Sequence, residues 1–113
     1  MGKRSRDKGK VGEREFLREL SGWLGRRIRR NHAQPDPQES GGDSAPGDLP
    51  VSLEIKRAKT FQHRWITQTE SQAVEEGKPP MLAYRLDHQP WRVLMVLTPA
   101  EAADVIRSRE AGA

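Results

Sequence analysis

Glu54 and Lys56 stand two residues apart in the run Val51-Ser52-Leu53-Glu54-Ile55-Lys56. Strand alternation places both on one face and Val51, Leu53 and Ile55 on the other, so an acid and an amine project together from a strand whose reverse is apolar. The pair suits metal-assisted phosphodiester cleavage. Glu54 and the adjoining Ile55 carbonyl can hold Mg²⁺, and the Lys56 ammonium can hold an attacking water or the negative charge that builds up at phosphorus. The same spacing is frequent on half-buried strands with a solvated face, so the chemistry depends on further groups elsewhere in the chain.

Two acids are placed to join them. Residues 31–42 read as loop throughout, and a loop of that length in a small domain is often functional. If residues 47–50 form the turn of a hairpin, Asp43 falls opposite Glu54. Two carboxylates so placed repel unless a cation lies between them. Glu13 precedes Phe16 by three residues and Leu17 by four, which continues their apolar stripe one turn earlier and aims the acid inward, where it needs a partner. A first-turn acid favoured by the helix dipole is the simpler account of the same residue.

The elements that must carry these groups follow from periodicity and punctuation. A helix is expected over 10–24, stopped by Gly25, with Phe16, Leu17, Leu20, Trp23 and Leu24 as its apolar stripe and Trp23 in the core. A short basic strand over 26–30 and the hairpin come next. A second helix over 62–76 ends at Gly77 and shows Trp65, Gln68 and Gln72 along one side. Strands over 81–86 and 91–97 flank a turn at 87–90. Thr98, Pro99 and Glu101 combine an N-cap, an N1 proline and a capping-box acid, opening a last helix to about residue 109. The order implies an α/β domain, a mixed sheet flanked by helices, with the strand of Glu54 and Lys56 at its centre.

Composition narrows the function classes. With 113 residues, 34% apolar and 5% aromatic, the chain reads as a basic flexible arm over 1–9 and one domain over 10–113 with a small core, a kind of domain that often gains burial by dimerising. It has no cysteine, which excludes thiolate metal sites and cysteine nucleophiles and leaves hard oxygen ligands. No apolar run approaches the roughly 20 residues of a membrane span and no signal-peptide pattern opens the chain, so a cytoplasmic location without a membrane partner is expected. The net charge of +4 is unevenly spread: residues 1–30 hold eleven Lys or Arg against four acids. Lys3, Arg4, Arg6, Lys8 and Lys10, then Arg14, Arg26, Arg27, Arg29 and Arg30, form a footprint for a polyphosphate partner, with a solubilising tail as the plainer alternative.

Five short motifs in order resemble the small PD-(D/E)XK nucleases, and among them the phage-type and archaeal-type Holliday junction resolvases: Lys8, Gly9, Glu13, Arg14 and Glu15; Gly41, Gly42 and Asp43; Leu53 to Arg57; Trp65, Gln68, Gln72 and Ala73; and Pro80 to Arg85 followed by Pro90, Trp91 and Arg92. The resemblance covers residues 8–107. It implies a restriction-endonuclease-like fold and cleavage of branched DNA with Mg²⁺, or Mn²⁺ in its place, by a homodimer in a bacterial, archaeal or phage-infected cell. It further implies Asp43 and Glu54 as metal ligands with the Ile55 carbonyl, Lys56 as the catalytic cation, Glu13 as an additional acid and Gln72 or Gln68 as support from a helix. Both Asp43 and Asp48 follow a glycine. Asp43 is preferred because Asp48 leaves too few residues for a hairpin before Glu54. Ser40 corresponds to a loop serine of the family.

Other residues have plainer readings. His32, His63 and His88 form no pair at helical spacing and are expected at the surface. Trp65 and Trp91 are read as packing or dimer-interface residues. Arg57, Lys59, Arg85 and Arg92 either contact phosphates or lie on solvated sheet edges. Besides the junction nuclease, a general nuclease of the same superfamily and a non-catalytic basic DNA-binding protein both remain compatible with these residues.

Overall fold

The computed structural model describes residues 3–31, 43–45 and 47–112, the first six of these by backbone alone. Six elements follow one another: α1 (Lys3–Leu24), β1 (Ser52–Ala58), α2 (Arg64–Glu76), β2 (Pro80–Leu86), β3 (Arg92–Met95) and α3 (Pro99–Ala111). The helix expected from residue 10 starts at Lys3, because the Lys and Arg residues ahead of it are good helix formers and Gly9 alone does not break it. No described helix is long and apolar enough to cross a membrane.

β1, α2 and β2 form a parallel strand–helix–strand unit in which Glu54 lies beside Leu82 and Lys56 beside Tyr84. β3 returns antiparallel to β2, giving a mixed sheet in the order β1-β2-β3. The α/β architecture agrees with the sequence reading, but its centre does not: among the described residues β2 is central and β1 lies at the edge.

Among the described residues, the hairpin partner expected beside β1 is represented by Asp43 alone. Asp43 donates its amide to the Leu53 carbonyl at 2.9 Å, and its carboxylate accepts the Ile55 amide at 2.7 Å. A side-chain oxygen thus occupies the place of the next ladder rung. The strand expected over 26–30 is also reduced, to one bridge between Arg30 and Ser44. Side-chain acceptors take the amides that a ladder needs: Ile28 N–H binds Ser21 Oγ at 2.8 Å and Arg29 N–H binds Asp48 Oδ2 at 2.8 Å.

Two apolar clusters hold the layers together. Phe16 and Leu17 of α1 pack with Ile28, Leu49, Leu53, Ile55 and Ala83 on one face of the sheet. Trp65 of α2, with Leu82 and Tyr84, fills the other face, where Phe61 meets both rings at 5.1 Å. Trp91 lies at 5.0 Å from the Phe16 ring, so Trp65 and Trp91 both pack within the chain. Trp23, expected in the core, is 84% exposed, because the loop after Gly25 turns Ile28 into the space beside Leu17 and leaves the end of α1 uncovered.

α1 comes close to β1 at Gly12, where a Cβ would lie 3.0 Å from Arg57 Cβ. Beside that approach, Glu15 accepts from Arg85 and, at 2.8 Å, from the Trp91 indole N–H. Burial alone would raise the Glu15 carboxyl, but Trp91, Arg85 and Arg57 outweigh it and hold it below the usual range. α2 ends at Gly77 in the left-handed region, φ 69°, and α3 opens with the expected capping box at Thr98 and Glu101. α3 buries none of its residues within the protomer.

Candidate active site

Beside β1, between α1 and α2, a cleft of about 770 Å³ is lined by Glu13, Asp43, Glu54, Lys56, Gln68 and Gln72, among others. They arrive from four pieces of chain. Glu54 and Lys56 point from alternate positions of β1 toward the α2 side, opposite the buried Leu53 and Ile55. Asp43 is strapped to the strand through Leu53 and Ile55, the two neighbours of Glu54. Glu13 enters from α1 and bonds Arg30 Nε at 2.7 Å, so the inward acid has its partner. Gln68 and Gln72, one turn apart on α2, form the far wall, and the Gln72 amide nitrogen is buried without a hydrogen-bond partner among the described residues.

The electrostatics single out two of the acids. Desolvation raises Asp43 to about 7, helped by the charge of Glu13 and opposed by the Ile55 amide, Lys56 and Arg30. Desolvation also raises Glu54 to about 8, reinforced by Asp43, Glu13 and Glu76 and opposed by Lys56. Two carboxylates thus share a desolvated edge with too little positive charge to keep both ionised near neutrality. That imbalance is what a bound cation removes.

Among the described residues no group of three or more acid or histidine side chains stands together as a ready-made metal cage; Glu13 is turned to Arg30. The donors nevertheless fit a small hard cation. Mg²⁺ keeps most of its waters and takes one or two carboxylates plus substrate phosphate, which Asp43 and Glu54 can supply. The Ile55 carbonyl lies on the same side of the strand as its amide, which faces Asp43, and so adds a neutral oxygen next to the pair.

The remaining candidates separate. Asp48 lies outside the cleft, where the Arg29 guanidinium, at 3.0 Å, and the Arg29 amide hold its carboxyl below the usual range. Lys10 and Arg30 line the cleft, while Arg14, Arg29 and Arg30 line a neighbouring trough. Arg57 sits on the opposite face of the sheet, 3.9 Å from Glu15, and Lys59 is exposed beyond the end of β1. Ser40 and His32 lie outside the described residues, as do the side chains of Lys3, Arg4, Arg6 and Lys8. Thr67, Ser71 and Glu75 complete the α2 wall and were missed, although they continue the stripe of Gln68 and Gln72 at helical spacing. Glu76 also bears on Glu54, held by the Ser52 hydroxyl at 2.9 Å; nothing local in the sequence marks that interaction.

Comparison with known proteins bears on the fold and the family. No curated protein matches the chain. Among solved structures, the Holliday junction resolvase Hjc of Archaeoglobus fulgidus, an archaeal hyperthermophile, is similar in fold, with a TM-score of 0.52 and 22% identity over 78% of this chain and 72% of that one. The sheet and flanking helices are therefore those of a restriction-endonuclease-like fold. The family model “Phage putative PDDEXK endonuclease” matches residues 4–111, almost the whole chain and every element that builds the cleft, and this protein accordingly belongs to the phage PDDEXK endonuclease family.

Proposed function

We propose that the cleft hydrolyses phosphodiester bonds of branched DNA, four-way junctions in particular, with Mg²⁺ held by Asp43, Glu54 and the Ile55 carbonyl, and with Mn²⁺ able to replace it. The carrying observation is the desolvated Asp43–Glu54 pair with Lys56 on the same strand face. A divalent cation at that pair would neutralise phosphate charge and make water a stronger nucleophile. The chain's own groups do the rest. The Ile55 amide holds the Asp43 carboxylate against β1, in the cleft that Glu54 also lines, so both acids could meet one cation there. Lys56 faces the same space and can donate to a non-bridging phosphate oxygen or steady the incoming water. Gln72, whose amide nitrogen has no partner in the described protein, can donate to a phosphate oxygen from the α2 side. Glu13 stays ion-paired with Arg30 and shapes the field felt by Asp43.

A homodimer accompanies this reading, since two opposed strands of a junction are cut together only when two sites are held in one particle. The apolar exposure of Val93, Leu94 and Met95 on β3, and of Val105 and Ile106 on α3, supports a partner surface there. The test is a panel of labelled four-way junction, fork, duplex and single strand, each incubated with Mg²⁺ and with EDTA. Metal-dependent paired incision of the junction ahead of the other substrates is expected. Equal cleavage of all four would leave a general nuclease, and binding of all four without cleavage a non-catalytic binder.

A further inference from the structure

Beside the cleft lies a trough of about 640 Å³ that includes Arg14, Arg18, Arg27, Arg29 and Arg30 and no acid in its described lining. Arg29 and Arg30 are already paired, with Asp48 and Glu13. The side chains of Arg14, Arg18 and Arg27 make no ion pair or hydrogen bond among the described residues. Arg14 and Arg18, four apart on α1, share one helix face, and the buried Leu17 and Ile28 form the floor between them and Arg27. Guanidinium groups stay charged at any relevant pH, so three of them around an apolar floor repel one another until an anion enters. The trough and the cleft have Arg30 and Asn31 in common, so one bound strand can run through both. The other wall of the cleft is different in kind: α2 contributes Thr67, Gln68, Ser71, Gln72 and Glu75, and the whole helix has one arginine against three glutamates.

We infer that this trough is a second phosphate-binding site, which grips the DNA backbone on one side of the scissile phosphate only, the side that leaves the cleft along α1. The inference rests on the nuclease reading of the cleft for its substrate and adds a direction to it. Phosphates on the α2 side meet neutral or acidic side chains and gain no comparable attraction.

Two measurements test it. Binding to a labelled junction in Ca²⁺, followed against salt, should show weaker affinity for the combined variant Arg14→Gln, Arg18→Gln, Arg27→Gln. Its slope of log K against log salt should fall by about 0.9 for each duplex phosphate that the arginines no longer neutralise, or about 0.7 on a single strand. The corresponding triple lysine variant should recover most of that slope, which a fold defect would not allow. In the second measurement the unaltered chain is bound to DNA in which single linkages are replaced by uncharged methylphosphonates, one position at a time. Affinity should drop for a short window on one side of the cleaved linkage and stay level on the other. Equal windows on both sides, or an unchanged slope in the glutamine variant, would overturn the inference. A wild-type chain that cleaves no DNA in Mg²⁺ but shows the slope change would keep the trough as a phosphate site and remove the nuclease reading instead.

Discussion

Asp43 and Glu54 are where a residue-level change has its clearest readout. Their carboxyls sit at about 7 and about 8 in the metal-free fold, against ordinary values of 3.8 and 4.5, with burial as the first cause in both. An unfolded chain loses these protons near pH 4, whereas the folded chain keeps them until pH 7 to 8, so between those limits the folded state binds more protons and its stability falls as pH rises. The metal-free protein should therefore melt at lower temperature at pH 8 than at pH 5.5, and Asp43→Asn should flatten that slope. At pH 8 the variant should melt higher than wild type by roughly 4–8 °C, the shift that 1 kcal/mol produces in a domain near this size. Calorimetry across the pH range reads both, and a wild-type Tm that climbs from pH 5.5 to 8 would contradict the desolvated pair. In the proposed role, Lys56 bears on the transition state more than on the fold. Lys56→Met should lower turnover about 10²–10³-fold, the usual loss when one preorganised charge-stabilising donor is removed; single-turnover kinetics on a cleavable substrate would show a smaller effect if water does that work.

At the scale of elements, what was legible depended on whether the signal was local. The alternation of β1, the turn at Gly77 and the capping box at Thr98 need only neighbouring residues, and each stands where the sequence put it. The position of β1 in the sheet did not, because it depended on whether residues 43–45 would pair as a strand, and a carboxylate took the rung that a main-chain carbonyl was expected to fill. Trp23 was misplaced for a similar reason: its stripe is correct for a helix, but Ile28, beyond the helix end, occupies the space it would have filled. Of the cleft, the residues on β1 and α2 were readable from spacing, while the Glu15, Arg85 and Trp91 cluster joins residues 70 and 76 positions apart and leaves no local trace. The close approach at Gly12 tests how the elements position the site. A valine there meets Arg57 Cβ, already only 3.0 Å from where a Cβ would stand, and must push α1 away from β1. Gly12→Val should cost about 1–3 kcal/mol in denaturant unfolding and displace Glu13 and Arg30 from the cleft, lowering cleavage as well. Full activity at unchanged stability would mean that α1 need not sit this close.

For the whole molecule, asymmetry is the recurring feature: basic charge is in excess along α1 and its following loop, acidic charge is in excess on α2, and β3 and α3 each carry neighbouring exposed apolar side chains. The last of these sets the expectation for assembly. Sedimentation at micromolar concentration should give about twice the 12.8 kDa chain mass, with roughly 800 Å² or more buried per partner. Leu94→Lys combined with Ile106→Lys should shift the particle toward monomer, whereas charge placed at Trp23 should not. A wild-type monomer, free and on a junction, would leave those faces for another partner and make paired incision untenable. The assignment of Asp43 and Glu54 as holders of the metal that would drive phosphodiester hydrolysis is read from one comparison: Mg²⁺-dependent single-turnover cleavage of a labelled four-way junction by wild type and by Glu54→Ala, with junction affinity measured on the same samples. Cleavage by wild type, none by Glu54→Ala, and affinities within a few-fold of each other are expected, since the arginines proposed to bind phosphate are untouched. Cleavage by Glu54→Ala at a rate near wild type would contradict it.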